Sequence, residues 1–341
     1  MAVVGACFAD FFDSNERTIA MTLFAAMVFV GPMFAPIIGG FIAKSHLGWR
    51  WTNWIIVIMA FTAMIGDIFF FEECYAPKIL KNKAVKIRRE TGNWAFHAKL
   101  EEKNVEGKQL AQDLLLRPMK LLVTEPIILL LTIYTAFIYG LLYLFLTAYE
   151  FEFGLVRGWE PGISSLPYIG LLVGELIGAG IVLAFEPFYQ RKKRENNGIV
   201  VPEARLPPMI IGAICFAGGL FWFGWTSSKD IHWIVPTLSG LLTGLGLLTI
   251  FLQAINYIID TFLRNAATAL AANTFLRSLF GAAFPLFATQ MFENLGIDWA
   301  STVLGIIAVV MIPVPIAFYF YGEKLRGMSK NTPGGTPANV K

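Results

Sequence analysis

Three side chains with ionisable or strongly polar heads stand inside apolar runs: Glu175 in LLVGELIGAG, and Asn273 and Arg277 in ALAANTFLRSLFGAAF. A charge within a membrane-crossing segment is costly, so such a group faces a cavity or a partner. Glu175 is suited to binding a proton or a cationic substrate; its alternative role is structural, a hydrogen bond to a neighbouring helix. Asn273 and Arg277 are four residues apart and share a helix face with Gly281, so that face looks inward. The alternatives for Arg277 are pairing with a helix-end carbonyl or with Glu175, or contact with a substrate. Gln253 and Asn256, and Tyr134 and Tyr139 in IYTAFIYG, supply hydrogen-bonding and aromatic groups that can line a cavity, although aromatic residues in membrane helices more often serve packing. Covalent chemistry finds no support. His46, His97 and His232 lie far apart, without an HExxH or HxxxxD pattern or a nucleophile elbow. Cys7, Cys74 and Cys215 are isolated, which indicates neither a disulfide framework nor a metal site. These absences argue against a membrane-embedded enzyme, and no catalytic residue, cofactor or metal is expected.

The elements that carry these groups follow from composition. Of the 341 residues 56 % are hydrophobic and 15 % charged, with a mean hydropathy of +0.61, against about 25 % charged in soluble domains. This is an all-α polytopic membrane protein. Crossing about 30 Å of hydrocarbon takes roughly 17–25 apolar residues, and runs of that length stand at 18–43, 53–71, 126–148, 164–186, 207–226, 233–258, 267–291 and 301–322, eight complete spans. The opening MAVVGACFADFFDSNER lacks the basic start and cleavage pattern of a signal peptide and reads as the tail end of a further membrane helix. If that stub ends in the cytoplasm, only Lys44, Arg50, Arg157 and Lys229 of the 27 Lys and Arg fall on the opposite side, with Arg277 inside a span. The positive-inside rule then makes the central loop and the C-terminal tail cytoplasmic. Trp49, Trp51, Trp54, Trp159, Trp225, Trp233 and Trp299 all stand at the expected outer helix ends, as an interfacial aromatic belt requires. Asp10, Asp13, Glu16 and Arg17 read as a charged cytoplasmic turn. In the central loop Leu80, Ala84 and Ile87 recur at i, i+4 and i+7 within APKILKNKAVKIRRE, which makes a basic amphipathic helix on the inner leaflet or a solvated linker helix.

The first span carries its own breakers, in GPMFAPIIGGFI. Gly31, Ala35 and Gly39 form a smooth strip that a neighbouring backbone can approach, while Pro32 and Pro36 on the adjacent face each remove a hydrogen bond and bend the helix. The same spacing returns at Gly170, Gly174 and Gly178, and at Gly240 and Gly244. Repeated backbone-to-backbone seams suit two bundles rocking against each other; static packing explains each seam alone.

That breaker-bearing stretch, Gly31, Pro32, Ala35, Pro36, Gly39 and Gly40 included, resembles the fifth-helix antiporter motif of the major facilitator superfamily, with Ala35 in place of one glycine. GWRWTNWI, YAPKILKNKAVKIRRETGNW, EPIILLLTIYTAFIYGLLYLFLTAYEF, PEARLPPMI, INYIID and ALAANTFLRSLFGAAFPLFA are similar to signatures of its fungal drug:proton antiporters of the twelve-helix type. Two departures stand out: Glu72-Glu73-Cys74 replaces a usual Pro-Glu-Thr, and AYEFEF is unusually acidic. The resemblance implies a major facilitator fold lacking helices one to three and most of four. Its parts are a remnant of the N-terminal bundle at 1–71, a cytoplasmic loop at 72–125, a six-helix C-terminal bundle at 126–322 and a cytoplasmic tail at 323–341. It further implies proton-coupled efflux of a drug, toxin, secondary metabolite or polyamine by alternating access, in the plasma membrane. The implied partners are the lipid bilayer, a small organic substrate and protons, with no ATP and no nucleic acid. A non-transporting remnant or assembly subunit of such a carrier is the alternative. Leucine at Gly31 or Gly39 is expected to hold helices apart and stop transport.

Overall fold

Hydrocarbon offers the backbone no hydrogen-bond partner, so an apolar run satisfies its peptide groups within itself and becomes a helix. The computed structural model describes residues 14–70, 73, 75–102, 116–262 and 265–329, with no strand among them. Its helices are α1 (Ser14–Lys44), α2 (Arg50–Phe70), α3 (Ala76–Thr91), α4 (Arg117–Thr124), α5 (Pro126–Tyr149), α6 (Tyr168–Glu195), α7 (Leu206–Thr226), α8 (Ile234–Phe262), α9 (Ala266–Met311) and α10 (Pro313–Met328). A π-helical turn, Glu150–Val156, extends α5, and a 3-10 turn, Pro202–Arg205, leads into α7. Because α1 begins at Ser14, Glu16 and Arg17 belong to a helix and not to the expected turn; Asp10 and Asp13 lie outside the described residues.

Among the described residues seven helical runs are long and apolar enough to cross a membrane, the last being the 62 residues Ala266–Gly327. At 1.5 Å per residue that run is about 90 Å long, three times the hydrocarbon thickness. It breaks at Gly296, whose φ of 77° and ψ of 164° suit glycine alone. Before the break α9 runs parallel to α5, with Gly281 under the Tyr139 ring and Phe284 against Gly140; beyond it the chain returns antiparallel to α7, with Ser301 against Gly224 and Gly305 against Phe221. The run is therefore two crossings, which makes eight among the described residues. The sequence leaves 292–300 as the connection between these crossings, whereas the turn is concentrated at one glycine and both helices continue almost up to it.

The core forms around α8, which is buried along most of its length between α6 and α7. Its Leu247, Leu248, Phe251 and Ile258 pack among Phe145, Tyr149, Phe216 and Phe223. The Tyr149 ring is stacked between Tyr168 and Phe223, 5.0 Å from each. Four of the seven tryptophans expected at one membrane face come together in pairs: Trp225 with Trp299 at 6.2 Å and Trp159 with Trp233 at 5.9 Å. Helix α1 docks on α6, and no residue of α2 is buried.

After α3 the chain turns at Gly92, with φ of 66°, and residues 93–102 fold back along it. The Ala98 N–H donates to Glu101 at 3.0 Å and the Arg88 guanidinium donates to its other oxygen at 2.7 Å, while the His97 ring lies 2.9 Å from the Ala95 carbonyl and 3.0 Å from the Glu102 carboxylate. The Ala98 N–H, then Arg88, hold Glu101 below the usual carboxylate range; the Ala95 carbonyl, then Glu102, hold His97 above the usual imidazole range. The lowered carboxyl stabilises the fold-back above its unfolded pKa and ceases to do so as pH falls through its folded value. The raised imidazole stabilises it below its unfolded pKa and ceases to do so as pH rises through its folded value. Trp94 fluorescence, with Arg88 5.7 Å from its ring, is therefore expected to be flat between these two transitions and to change on either side.

Candidate functional site

The glycine strips of α6 and α8 form one reciprocal seam. Gly170, Gly174 and Gly178 lie on the Thr237, Leu241 and Leu245 carbonyls, while Gly240 and Gly244 lie on the backbone of Leu171. A Cβ at Gly240 would stand 2.9 Å from the Leu171 nitrogen, and one at Gly178 would stand 2.9 Å from the Leu245 oxygen. Apolar solvation does not drive helices together in a membrane, so close backbone approach is the main source of attraction. A second seam joins α8 to α7, with a Cβ at Gly246 meeting the Gly212 carbonyl at 2.5 Å.

Glu175 stands in the first seam. Its side chain is 1 % exposed and neither carboxyl oxygen has a hydrogen-bond partner among the described residues. The pairing with Arg277 considered from sequence is not formed. Arg277 instead lies on α9 with its guanidinium 4.8 Å from the Tyr139 ring centre and 4.7 Å from that of Phe251, an arrangement in which ring faces stabilise the cation. The Tyr139 hydroxyl is 3.2 Å from that of Tyr143. One turn before Arg277, the Asn273 amide donates to the Thr135 hydroxyl at 2.7 Å.

Asn273, Thr274 and Arg277 line one wall of a cleft whose other walls are Leu252 and Ile255 of α8 and Met21, Phe24 and Ala25 of α1. The cleft lies where α1 meets the helices that follow the central loop. Its polar wall is α9 and its other walls are apolar, and in this conformation it has a volume of only about 20 Å³, room for about one water molecule. Gln253 and Asn256 are buried on α8, each with one side-chain polar atom unpaired. Tyr134 is buried in the main hydrophobic cluster. Tyr139, Asn273 and Arg277 thus come together, while Glu175 and Tyr134 stand apart from them.

In the first span the structure separates what the motif groups. Among the described residues nothing lies within 4 Å of a Cβ placed at Gly31 or Gly39, and Ala35 is exposed. The covered face of α1 carries Met21, Ala25, Phe29 and Met33. Pro32 and Pro36 are accommodated inside an unbroken helix. The close approach is at Gly40, where a Cβ would stand 2.6 Å from the Gly162 nitrogen. Gly162 itself has φ of 93° and lies under Phe41, and Lys44 pairs with Glu160 beside it.

Sequence reasoning missed a buried ionic cluster at the far end of α6 and α8. Arg205 bonds Asp260 at 3.2 Å and Glu186 at 2.9 Å, and Tyr189 donates to Asp260 at 3.0 Å. Asp260 ends the apolar stretch INYII, and that isolated charge was the available signal. A matching clasp at the Trp-bearing end joins Arg157 to buried Glu152 at 2.8 Å and to the Ile231 and Ser228 carbonyls. Among the described residues no group of His, Cys, Asp and Glu is arranged to hold a metal.

Comparison with known proteins bears on what such a bundle does. A transporter of Schizosaccharomyces pombe described as uncharacterized is 51 % identical over 97 % of this chain and 58 % of its own length. The citrinin biosynthesis cluster transporter mrr1 of Monascus ruber is 47 % identical over 98 % of the chain and 67 % of its own. The Candida albicans multidrug transporter FLU1 is 46 % identical over 97 % and 55 % respectively. The chain thus spans a little over half the length of most of these relatives. Residues 1–285 match the family profile of the Major Facilitator Superfamily, and with an all-helical bundle and relatives at this identity, the chain belongs to that superfamily of membrane transporters, not of enzymes.

Proposed function

We propose that this chain serves proton-coupled efflux of a small organic molecule by alternating access, in the plasma membrane with its C-terminus in the cytoplasm. The observation that carries the reading is Glu175. Removing a carboxyl group from water without a hydrogen bond is costly, and natural sequences retain such groups in membranes chiefly for function. A carboxyl in a backbone seam whose two oxygens have no hydrogen-bond partner among the described residues supports a role in taking up a proton, or a cation, in one state of the seam and releasing it in another. The Asn273 and Arg277 wall supplies orientation for the organic solute, and Tyr139, Gln253 and Asn256 extend its hydrogen-bonding surface. Support for the substrate class comes from FLU1, named for multidrug transport, and from mrr1, named for a citrinin cluster. The driving partner is the proton and not ATP, and no nucleic acid is involved. The test is growth of a strain lacking the gene on a panel of amphipathic drugs, polyamines and fungal metabolites. Raised sensitivity to a subset, with raised cellular accumulation of the same compounds, is expected; unchanged sensitivity and accumulation throughout would count against efflux.

A further inference from the structure

We infer that α3 is a docking surface for the anionic face of a lipid bilayer. None of its residues is buried, and it forms no extended packing with another described helix. At about 100° per residue, Leu80, Ala84 and Ile87 fall within an arc of about 60°, with Lys83 on one edge and Lys81 and Arg88 on the other. The fold-back 93–102 lies on the Arg88 side, where Arg88 meets Glu101; Ala84 and Ile87 are half-buried, and Leu80, between them on the arc, is open. Leu80 is 59 % exposed, and the neighbouring large apolar groups Tyr75, Trp94 and Phe96 are 51 %, 79 % and 47 % exposed. Long basic side chains beside such an arc lay their methylenes on apolar surface and lift the ammonium groups to the headgroups.

The bilayer is singled out as the occupant by two observations. Phe70 ends α2, a membrane-length helix, and Ala76 begins α3; six steps of chain reach at most about 20 Å, so α3 is tethered to the membrane surface. The remaining exposed charge is mostly one sign, with Lys78, Lys83, Lys86 and Arg89 against Glu90, which is the complement of phosphate and carboxylate headgroups. The inference goes beyond transport, and its test does not depend on transport.

The experiment places the whole chain, with its cysteines replaced by serine, in nanodiscs of phosphatidylcholine alone or mixed with phosphatidylserine. An environment-sensitive fluorophore is attached at Leu80→Cys or, on the opposite face, at Asn82→Cys, and headgroup-region spin-labelled lipid serves as quencher. The expected result is strong quenching at position 80 and little at 82. Quenching at 80 should increase with phosphatidylserine, fall with added salt and persist in millimolar inorganic phosphate. Replacing Lys78, Lys81, Lys83 and Lys86 together by Gln should return it to the neutral-lipid level. Position 80 remaining in water in every nanodisc would overturn the inference. So would a probe at 80 that is shielded but unquenched by the lipid, which would mean another part of the protein covers it, or equal quenching at 80 and 82.

Discussion

Alanine at Gly244 is expected to destabilise the bundle by about 3 kcal/mol or more, at the upper end of the overpacking range, and leucine there to prevent α6 and α8 from assembling. The new Cβ would overlap the Leu171 carbonyl and approach the Glu175 nitrogen. Both are backbone atoms of a regular helix, so no rotamer change relieves the overlap and the helices must separate. Separation also loosens the α7–α8 seam, because α8 is held on both sides. The control is Gly39→Ala, where the added methyl meets nothing described within 4 Å and the expected change is within about 0.5 kcal/mol. Reversible unfolding in mixed micelles compares the two. Equal stability of Gly244→Ala and the parent protein would refute the seam.

Glu175→Gln is expected to lower gradient-driven efflux roughly tenfold, the equivalent of about 1.4 kcal/mol, and to flatten its dependence on pH. Glutamine keeps the shape and one carbonyl oxygen but cannot bind and release a proton at physiological pH. Stability should hold or rise, since a buried carboxyl whose oxygens have no partner among the described residues contributes nothing to the fold. Glu175→Asp, which restores the ionisable group, should restore part of the pH dependence. Loss of expression in Glu175→Gln together with an unaltered pH profile of the residual efflux would assign this side chain a packing role.

The crossings were legible because hydropathy over about 20 residues reports a requirement of the bilayer and not of any tertiary partner. The same locality made the glycine spacing on α6 and α8 visible. What spacing cannot report is which strip meets which: Gly170, Gly174 and Gly178 join Gly240 and Gly244, whereas Gly31 and Gly39, equally regular, meet nothing described. The pairings were not legible either. Arg277 offers no sequence sign that it will choose the rings of Tyr139 and Phe251 over Glu175, since those rings are 138 and 26 residues away in the chain. Asp260 and Arg205 come together only because α7 and α8 are antiparallel neighbours. The single-residue turn at Gly296 was hidden because the helices on both sides continue to it: Glu293, Asn294 and Asp298 mark a connection between two crossings but not how few residues make the turn.

The most direct measurement is solute movement in proteoliposomes containing the purified protein, with a pH gradient imposed and no nucleotide present. Using a compound to which the deletion strain is sensitive, the account predicts uphill accumulation in the direction opposite to proton flow, collapse when the gradient is dissipated by a protonophore, and acidification of the compartment the solute leaves. Movement that only equilibrates the solute whatever the gradient, or that requires ATP, would contradict proton-coupled efflux.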